Sequence, residues 1–207
     1  MRHRVGQLVA LGVFALVAAS WLLPDGVSVG SLQFGGDTIS REVAPPLHEG
    51  TEWARYVAPE GTCRGDTDAS APVAEQLTAM RCLLDWARRE RGVPGLKMEL
   101  ALVRSAQLKA AAIVRCGDFS HTPCREPFAK TFEIVGWRGS SGENIAWGAS
   151  LAASPRVLAD GWLHSQGHRT NLFRPDWISQ GLAVTRVETF LEQGPASVWV
   201  HQFGRPE

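Results

Sequence analysis

The chain has no excess charge of either sign: 21 basic residues face 21 acidic ones, a formal net charge of +0. Nucleic-acid phosphates are held by clustered Lys and Arg, and no such block occurs, which excludes nucleic acid as a partner. The Gly-x-Ser-x-Gly elbow, the glycine-rich phosphate loop and the Asn-x-Ser/Thr acceptor are all missing, and internal repeats are absent too, so the common serine-hydrolase and nucleotide signatures do not apply. Cysteine is scarce at four residues, and no pair has the two-to-four-residue spacing of a zinc knuckle, which argues against a structural zinc cluster. What is present is a 44% hydrophobic, 20% charged composition with eight Trp. That is ample for one packed core and too apolar for a disordered chain.

The first residues, Arg2, His3 and Arg4, precede an apolar run from Val5 to Leu23. A basic start before such a run reads as an export signal, with small residues Val17-Ala18-Ala19 placed for cleavage before Ser20. The alternative is an uncleaved membrane anchor, since the run nearly reaches the roughly 20 residues that span a bilayer and Trp21 suits the interface. Residues 1–23 are therefore expected to be a signal peptide or an N-terminal membrane anchor, the chain's one membrane contact, and the remainder to lie outside the cytoplasm. Cleavage after Ala19 would remove two Arg and leave 19 basic against 21 acidic residues, a mildly acidic product. Cys63, Cys82, Cys116 and Cys124 fit that oxidising destination as two disulfides. Sequence permits three pairings. The local ones are favoured: Cys63 with Cys82 would staple the preceding segment to the first helix, and Cys116 with Cys124 would close a loop around His121.

Residues 24–71 change character, with eleven Gly or Pro in forty-eight positions, and are expected to be a linker or wrapping arm. Trp53, Tyr56, Val57 and Cys63 place its second half against the domain, because a solvated tether rarely carries such residues. The domain is expected over 72–207. Val73, Leu77, Met80 and Leu84 predict a helix ending before Gly92, and Leu100, Val103, Ala106, Ala110, Ile113 and Val114 a second one over about 99–116, stopped by Gly117. Ser154-Pro155 opens a third helix, for which Gly167 is the expected C-cap. Leu182–Val187 and Val198–Phe203, rich in β-branched and aromatic residues, read as a hairpin turning at Gly194-Pro195, and residues 143–147, after a Gly139–Gly142 turn, as a further strand. Helices first and strands later, without strict alternation, give an α+β domain.

Of six histidines, four lie in the domain: His121, His164, His168 and His201. Each could ligate metal or move a proton near neutral pH, although a lone histidine is more often structural. His164 and His168 have the spacing of helix-face ligands, but Gly167 should break the helix between them and the motif's intervening glutamate is missing. Glu143, between Gly142 and Asn144, reads either as a turn carboxylate accepting backbone N–H bonds or as a base or ligand. Trp147, Trp162 and Trp199 read as core residues and stand outside the expected site.

Four segments occur in order: Cys116-Gly-Asp-Phe-Ser-His-Thr122, Gly142-Glu-Asn-Ile-Ala146, Gly161-Trp-Leu-His-Ser-Gln-Gly-His-Arg-Thr-Asn-Leu172 and Val198-Trp-Val-His-Gln-Phe-Gly204. Together, over residues 72–204, they resemble the CAP superfamily of cysteine-rich secretory, antigen 5 and pathogenesis-related proteins, most of all its bacterial SCP-like extracellular branch. The resemblance implies a three-layer α-β-α sandwich around a central antiparallel sheet. It also implies a cleft whose histidines map to His121 and His168 and whose first glutamate maps to Glu143. Ser165 stands where many animal members carry a second glutamate.

Two imidazoles hold Zn²⁺ or another divalent cation only in part, so Glu143, water or a ligand would complete the shell. Asn144, Arg169 and Asn171 are expected to brace the cleft. Ser165, His168 and Glu143 also contain the side-chain types of a nucleophile, base and orienter, with Glu143 and Ser165 as the candidate catalytic residues. The leading expectation is a secreted or membrane-tethered binding domain that takes a metal ion, a lipid, glycan or cell-wall ligand, or both, in a His/Glu-lined cleft. The alternative is a metal-assisted hydrolase of peptide, ester or cell-wall substrates using His121, His168 and Glu143. A purely structural or adhesive domain is a third reading.

Overall fold

In the computed structural model, residues 47–207 are described; the leader expected at 1–23 and the first part of the arm, to residue 46, lie outside the described residues. Among the described residues no helix is long and apolar enough to cross a membrane. The elements run α1 (Val73–Arg91), β1 (Lys97–Met98), α2 (Leu100–Cys116), α3 (Lys130–Ile134), β2 (Gly139–Ala149), α4 (Pro155–His164), α5 (Gln166–Leu172), β3 (Ser179–Val187) and β4 (Ala196–Pro206).

The sheet has the order β1-β3-β4-β2. β3 and β4 form the expected antiparallel hairpin, and β2 pairs antiparallel with the far side of β4. The short β1 pairs parallel with β3, through Lys97 and Met98 opposite Ser179 and Gln180, so the sheet is mixed at one edge. Residues 139–142 were expected to turn before a five-residue strand. They are instead its first residues, with Gly139 opposite Pro206 and Gly142 opposite Phe203, because β4 runs long enough to pair them.

Alternation along β4 sorts the core into two layers. Val198 and Val200 pack with Ala106, Ala110 and Ile113 of α2, whereas Trp199 and Phe203 pack with Met80 and Leu84 of α1 and Leu158 and Trp162 of α4. Each fully buried Trp ring contributes on the order of 2–3 kcal/mol. The result is helix on sheet on helix. α2 lies unusually close to the sheet because β3 offers Gly181: a Cβ there would come 2.1 Å from the backbone carbon of Leu102.

Leu100, expected in the buried stripe of α2, is 80% exposed. It is the first residue of the helix; beside the expected Ala106, Ala110 and Ile113, the residues Leu102, Ser105 and Lys109 face inward, which brings two polar side chains under the sheet. Gly117 ends the helix in the left-handed region at φ 58°, and the N–H groups of Gly117 and Asp118 return to Val114 and Ile113. At the other expected stop, Gly167 lies inside α5. The helix breaks earlier, at Ser165, whose extended φ −98°, ψ 121° separates α4 from α5.

The described part of the arm is packed. Tyr56, Ala58 and Cys63 are in the core with α1 and α4. Asp66 forms a buried ion pair with Arg156 at 2.7 Å, and the Arg169 guanidinium lies 3.9 Å over the Trp53 ring. Both local disulfides are present, Cys63 with Cys82 and Cys116 with Cys124.

His201 is fully buried, with Nε2 bonded to Gln180 Oε1 at 2.9 Å and its ring 4.0 Å from that of Phe203. Burial, assisted by the nearby Arg88 charge, pushes its pKa down to about 3. It is therefore a neutral core residue. The unfolded imidazole titrates near 6.5. Between those values the unfolded chain takes up a proton that the native chain refuses, so stability is complete above about 6.5 and falls as pH drops toward 3, by up to about 1.4 kcal/mol per unit. Denaturant unfolding at pH 7 and pH 5 should show the parent losing about 2 kcal/mol more than His201→Gln. Equal losses in the two proteins would refute this role for His201.

Candidate functional site

The site is assembled where β2, an edge strand, meets the inward polar residues of α2. Lys109 is almost completely buried; its Nζ donates to the carbonyl oxygens of His121 at 2.6 Å and Phe128 at 3.4 Å and lies 3.9 Å from Glu143 Oε1. Desolvation holds its pKa below the usual lysine value, opposed by the charges of Glu143 and Glu126. Glu143 is equally enclosed. Its Oε1 accepts from His121 Nδ1 at 2.8 Å and its Oε2 from Gln202 Nε2 at 2.8 Å. Gln202 faces Glu143 directly across the β2–β4 register. Ser105 and Thr131, bonded at 2.9 Å, extend the same network to α3.

His121 is thus fixed twice, by its carbonyl on Lys109 and by its ring on Glu143. With Nδ1–H donated to the carboxylate, a neutral ring turns the Nε2 lone pair outward. The loop carrying it is closed by the Cys116–Cys124 disulfide, and Cys124 and Arg125 both take φ of 61°, a conformation that costs non-glycine residues about 1 kcal/mol or more each.

His168 comes from α5, which is clamped to β2 through amides. Asn144 Nδ2 donates to the His168 carbonyl at 3.0 Å, and Asn171 Nδ2 donates to the Glu143 carbonyl at 3.1 Å and to Asn144 Oδ1 at 3.0 Å. Arg169 donates to the Leu163 carbonyl at 2.8 Å, bracing the α4–α5 corner. Burial, and then the charge of His121, hold the His168 pKa below its ordinary value, and its Nδ1 is buried without a hydrogen-bond partner.

A cleft of about 430 Å³ opens beside this edge, within the ~300–1,000 Å³ usual for small-molecule sites. Its wall is largely apolar: Phe119, Ile145, Trp147, Val157, Leu158 and Trp162. The polar residues on it are Ser165, His168, Asp160 and His48. Trp147, expected in the core, is only half-buried. It lies on the edge strand, with no further strand beyond it among the described residues, and it meets Phe190 and Phe119 edge-on, with centroids 5.4 and 6.5 Å away. Trp162 is core, as expected, yet it also contributes to the cleft wall.

The expected residues are therefore divided between two places. His121 and Glu143 form a bonded pair, while His168 and Ser165 line the cleft without them. Among the described residues no hydrogen bond joins Ser165 to His168 or His168 to Glu143; the carboxylate serves His121 instead. His164 does not join His168, because the break at Ser165 turns its ring toward Asp160 and His48. Lys109, Gln202, Asp160 and His48 were not among the expected residues. Asp160 and His164, four apart on one helix, were legible by spacing. His48 was not, since only the folded arm brings it there.

The donors fit a divalent cation in part. His121 offers an outward Nε2, and His168 is kept neutral, the form a metal requires. Glu143 has both oxygens engaged, so its role is to orient His121. Among the described residues, the one group of three whose ligand atoms all lie within 4.8 Å of one another is His48, Asp160 and His164.

No family model matches the sequence. One curated relative, the uncharacterized protein YkwD of Bacillus subtilis, is 26% identical over 179 residues, covering 81% of this chain; the chain spans 65% of that relative's length. Among solved structures, an extracellular protein of Bacillus anthracis containing an SCP domain matches with a TM-score of 0.50 at 20% identity, over 64% of this chain and 41% of that one. An outer surface protein of Borrelia burgdorferi matches with a TM-score of 0.54 at 17% identity, over 64% of this chain and 94% of its own.

The Lys109–Glu143 network can be tested by a double-mutant cycle. Lys109→Met leaves a buried carboxylate without its cation and should cost about 3 kcal/mol of unfolding free energy, whereas adding Glu143→Gln should restore part of it. Strictly additive losses would show that the two charges are not coupled.

Proposed function

The chain has the SCP-domain fold, and on that premise we propose that it is an extracytoplasmic binding domain for an amphipathic ligand. The apolar part of the ligand lies along Trp147, Ile145 and Leu158, and its polar head meets His168 and Ser165. His121, through its outward Nε2, and His168 would be the residues to hold a divalent cation, Zn²⁺ or one of similar chemistry, which would supply a positive charge for an anionic head. The observation that carries this reading is the make-up of the cleft wall, which is apolar apart from a few polar groups. A glycan or cell-wall polymer carries more hydroxyls than such a wall could hydrogen-bond, which favours a lipid-like ligand.

The location outside the cytoplasm is supported by two disulfides, by the export-like first residues, and by the similarity to a protein described as extracellular. The hydrolase alternative draws on the same residues. It needs Glu143 as a base, and an oxygen already accepting from His121 or Gln202 is poorly placed to take a further proton. Binding is the simpler use of this geometry.

Titration of the full chain with a fluorescent long-chain fatty acid should give micromolar binding, weakened at least tenfold by Trp147→Asp. Calorimetry with Zn²⁺ should show a site weakened by either His121→Ala or His168→Ala. Absence of fatty-acid binding, or equal binding by Trp147→Asp, would sink the lipid reading. Ester turnover that disappears in Glu143→Gln would favour the hydrolase instead.

A further inference from the structure

A second group of ligating side chains lies where the arm crosses α4. His48 Nδ1 is 2.6 Å from Asp160 Oδ2, and the His48 backbone N–H donates to the same oxygen at 3.2 Å. His164 Nδ1 is 3.2 Å from Asp160 Oδ1 and 2.8 Å from the Asp160 carbonyl oxygen. The two imidazoles stack, with centroids 4.3 Å apart and planes 18° from parallel. The Asp160 carboxyl is only 4% exposed, and no Lys or Arg of the described residues pairs with it.

Among the described residues the buried Asp160 carboxylate has two imidazoles and no Lys or Arg beside it. The Asp160 carbonyl oxygen only accepts, so at 2.8 Å the His164 Nδ1–H donates to it, and the Thr51 hydroxyl lies 2.6 Å from His164 Nε2 and 3.1 Å from the His48 carbonyl oxygen. A divalent cation would take the place of that Nδ1 proton. Asp160 Oδ1 is buried and has no hydrogen-bond partner. Two imidazole nitrogens and a carboxylate oxygen lie within 4.8 Å of one another, and a nitrogen-rich set with one oxygen suits Zn²⁺-like ions better than Ca²⁺ or Mg²⁺. The Thr51 bond would fix the His164 tautomer in the way outer-shell partners of metal-bound histidines do.

We infer that His48, Asp160 and His164 form a divalent transition-metal site that ties the arm to α4 at the wall of the cleft. Two ligands would come from one helix turn of the domain and the third from the arm, with water completing a tetrahedral shell. The ion would latch the arm, since its loss frees His48 and with it the segment that leads to Thr51 and Trp53. Both His48 and Asp160 line the cleft, so the latch would also set part of its wall. This site shares no residue with the His121–His168 pair, and the two can fail separately.

The experiment uses the full chain and Zn²⁺ alone, by calorimetry and by limited proteolysis of the arm. The His168→Ala protein should still bind one Zn²⁺. Adding His48→Ala, which replaces a half-exposed arm side chain and leaves the core intact, should weaken that binding at least tenfold, and Asp160→Asn should do the same. Zn²⁺ should slow cleavage before Trp53 in the parent and not in His48→Ala. Loss of all Zn²⁺ binding in His168→Ala alone, or binding indifferent to His48→Ala, would overturn the site. Arm protection that follows pH but not Zn²⁺ would assign the position to a proton and overturn it equally.

Discussion

A carboxylate buried at the edge of a sheet is the constraint from which the site follows. Glu143 sits on β2, whose outer side has no neighbouring strand among the described residues, yet its side chain is entirely enclosed. Leaving such a charge without partners would cost several kcal/mol, so the fold supplies three: the Lys109 ammonium, the Gln202 amide and the His121 ring. Each comes from a different element. Satisfying one carboxylate therefore fixes the rotation of α2, the register of β4 against β2 and the path of the loop after Gly117. Lys109 explains why α2 buries a polar stripe where a purely apolar one would pack more simply.

The same edge strand joins the two helical layers. On its α2 side it carries Glu143 and Ile145; on the other it is clamped to α5 by the Asn144 and Asn171 amides. The extended residue Ser165 lets α5 fold back to make that clamp. Because no described strand pairs with the outer side of β2, Trp147 stays half-open, and the groove between it and α4 becomes the cleft. Ligand space and the His168 that lines it are thus two consequences of one strand edge. The arm closes the remaining side, with His48 reaching Asp160 across 112 residues of sequence.

Much of the fold could be read from residue patterns. The helix boundaries at Gly92, Gly117 and Pro155 depend on interactions within a few residues, and the β3–β4 hairpin and the two disulfides join neighbouring segments, with the cysteines 19 and 8 positions apart; such interactions are written in the sequence. Misreadings fell where a distant partner intervened. Residues 139–142 looked like a turn and became strand because β4 extends far enough to pair with them. Leu100 fitted the apolar stripe of α2 but faces solvent at the first position of the helix, where the inward face is taken by Leu102 and Ser105. Gly167 looked like a cap, and the chain broke at Ser165, where the amide clamp on α5 sets the corner.

The sequence by itself determined which chemical groups exist and in what order: the histidines, the acid after the Gly139–Gly142 stretch, the cysteines and the α+β succession of elements. Only the tertiary structure decided who meets whom. It gave Glu143 to His121 and not to His168, placed His164 with Asp160 and an arm histidine, and moved Trp147 from core to cleft wall. The physical reason is that a buried polar atom takes whichever partner the packed layers bring within about 3 Å, and those partners here come from elements far apart in the chain.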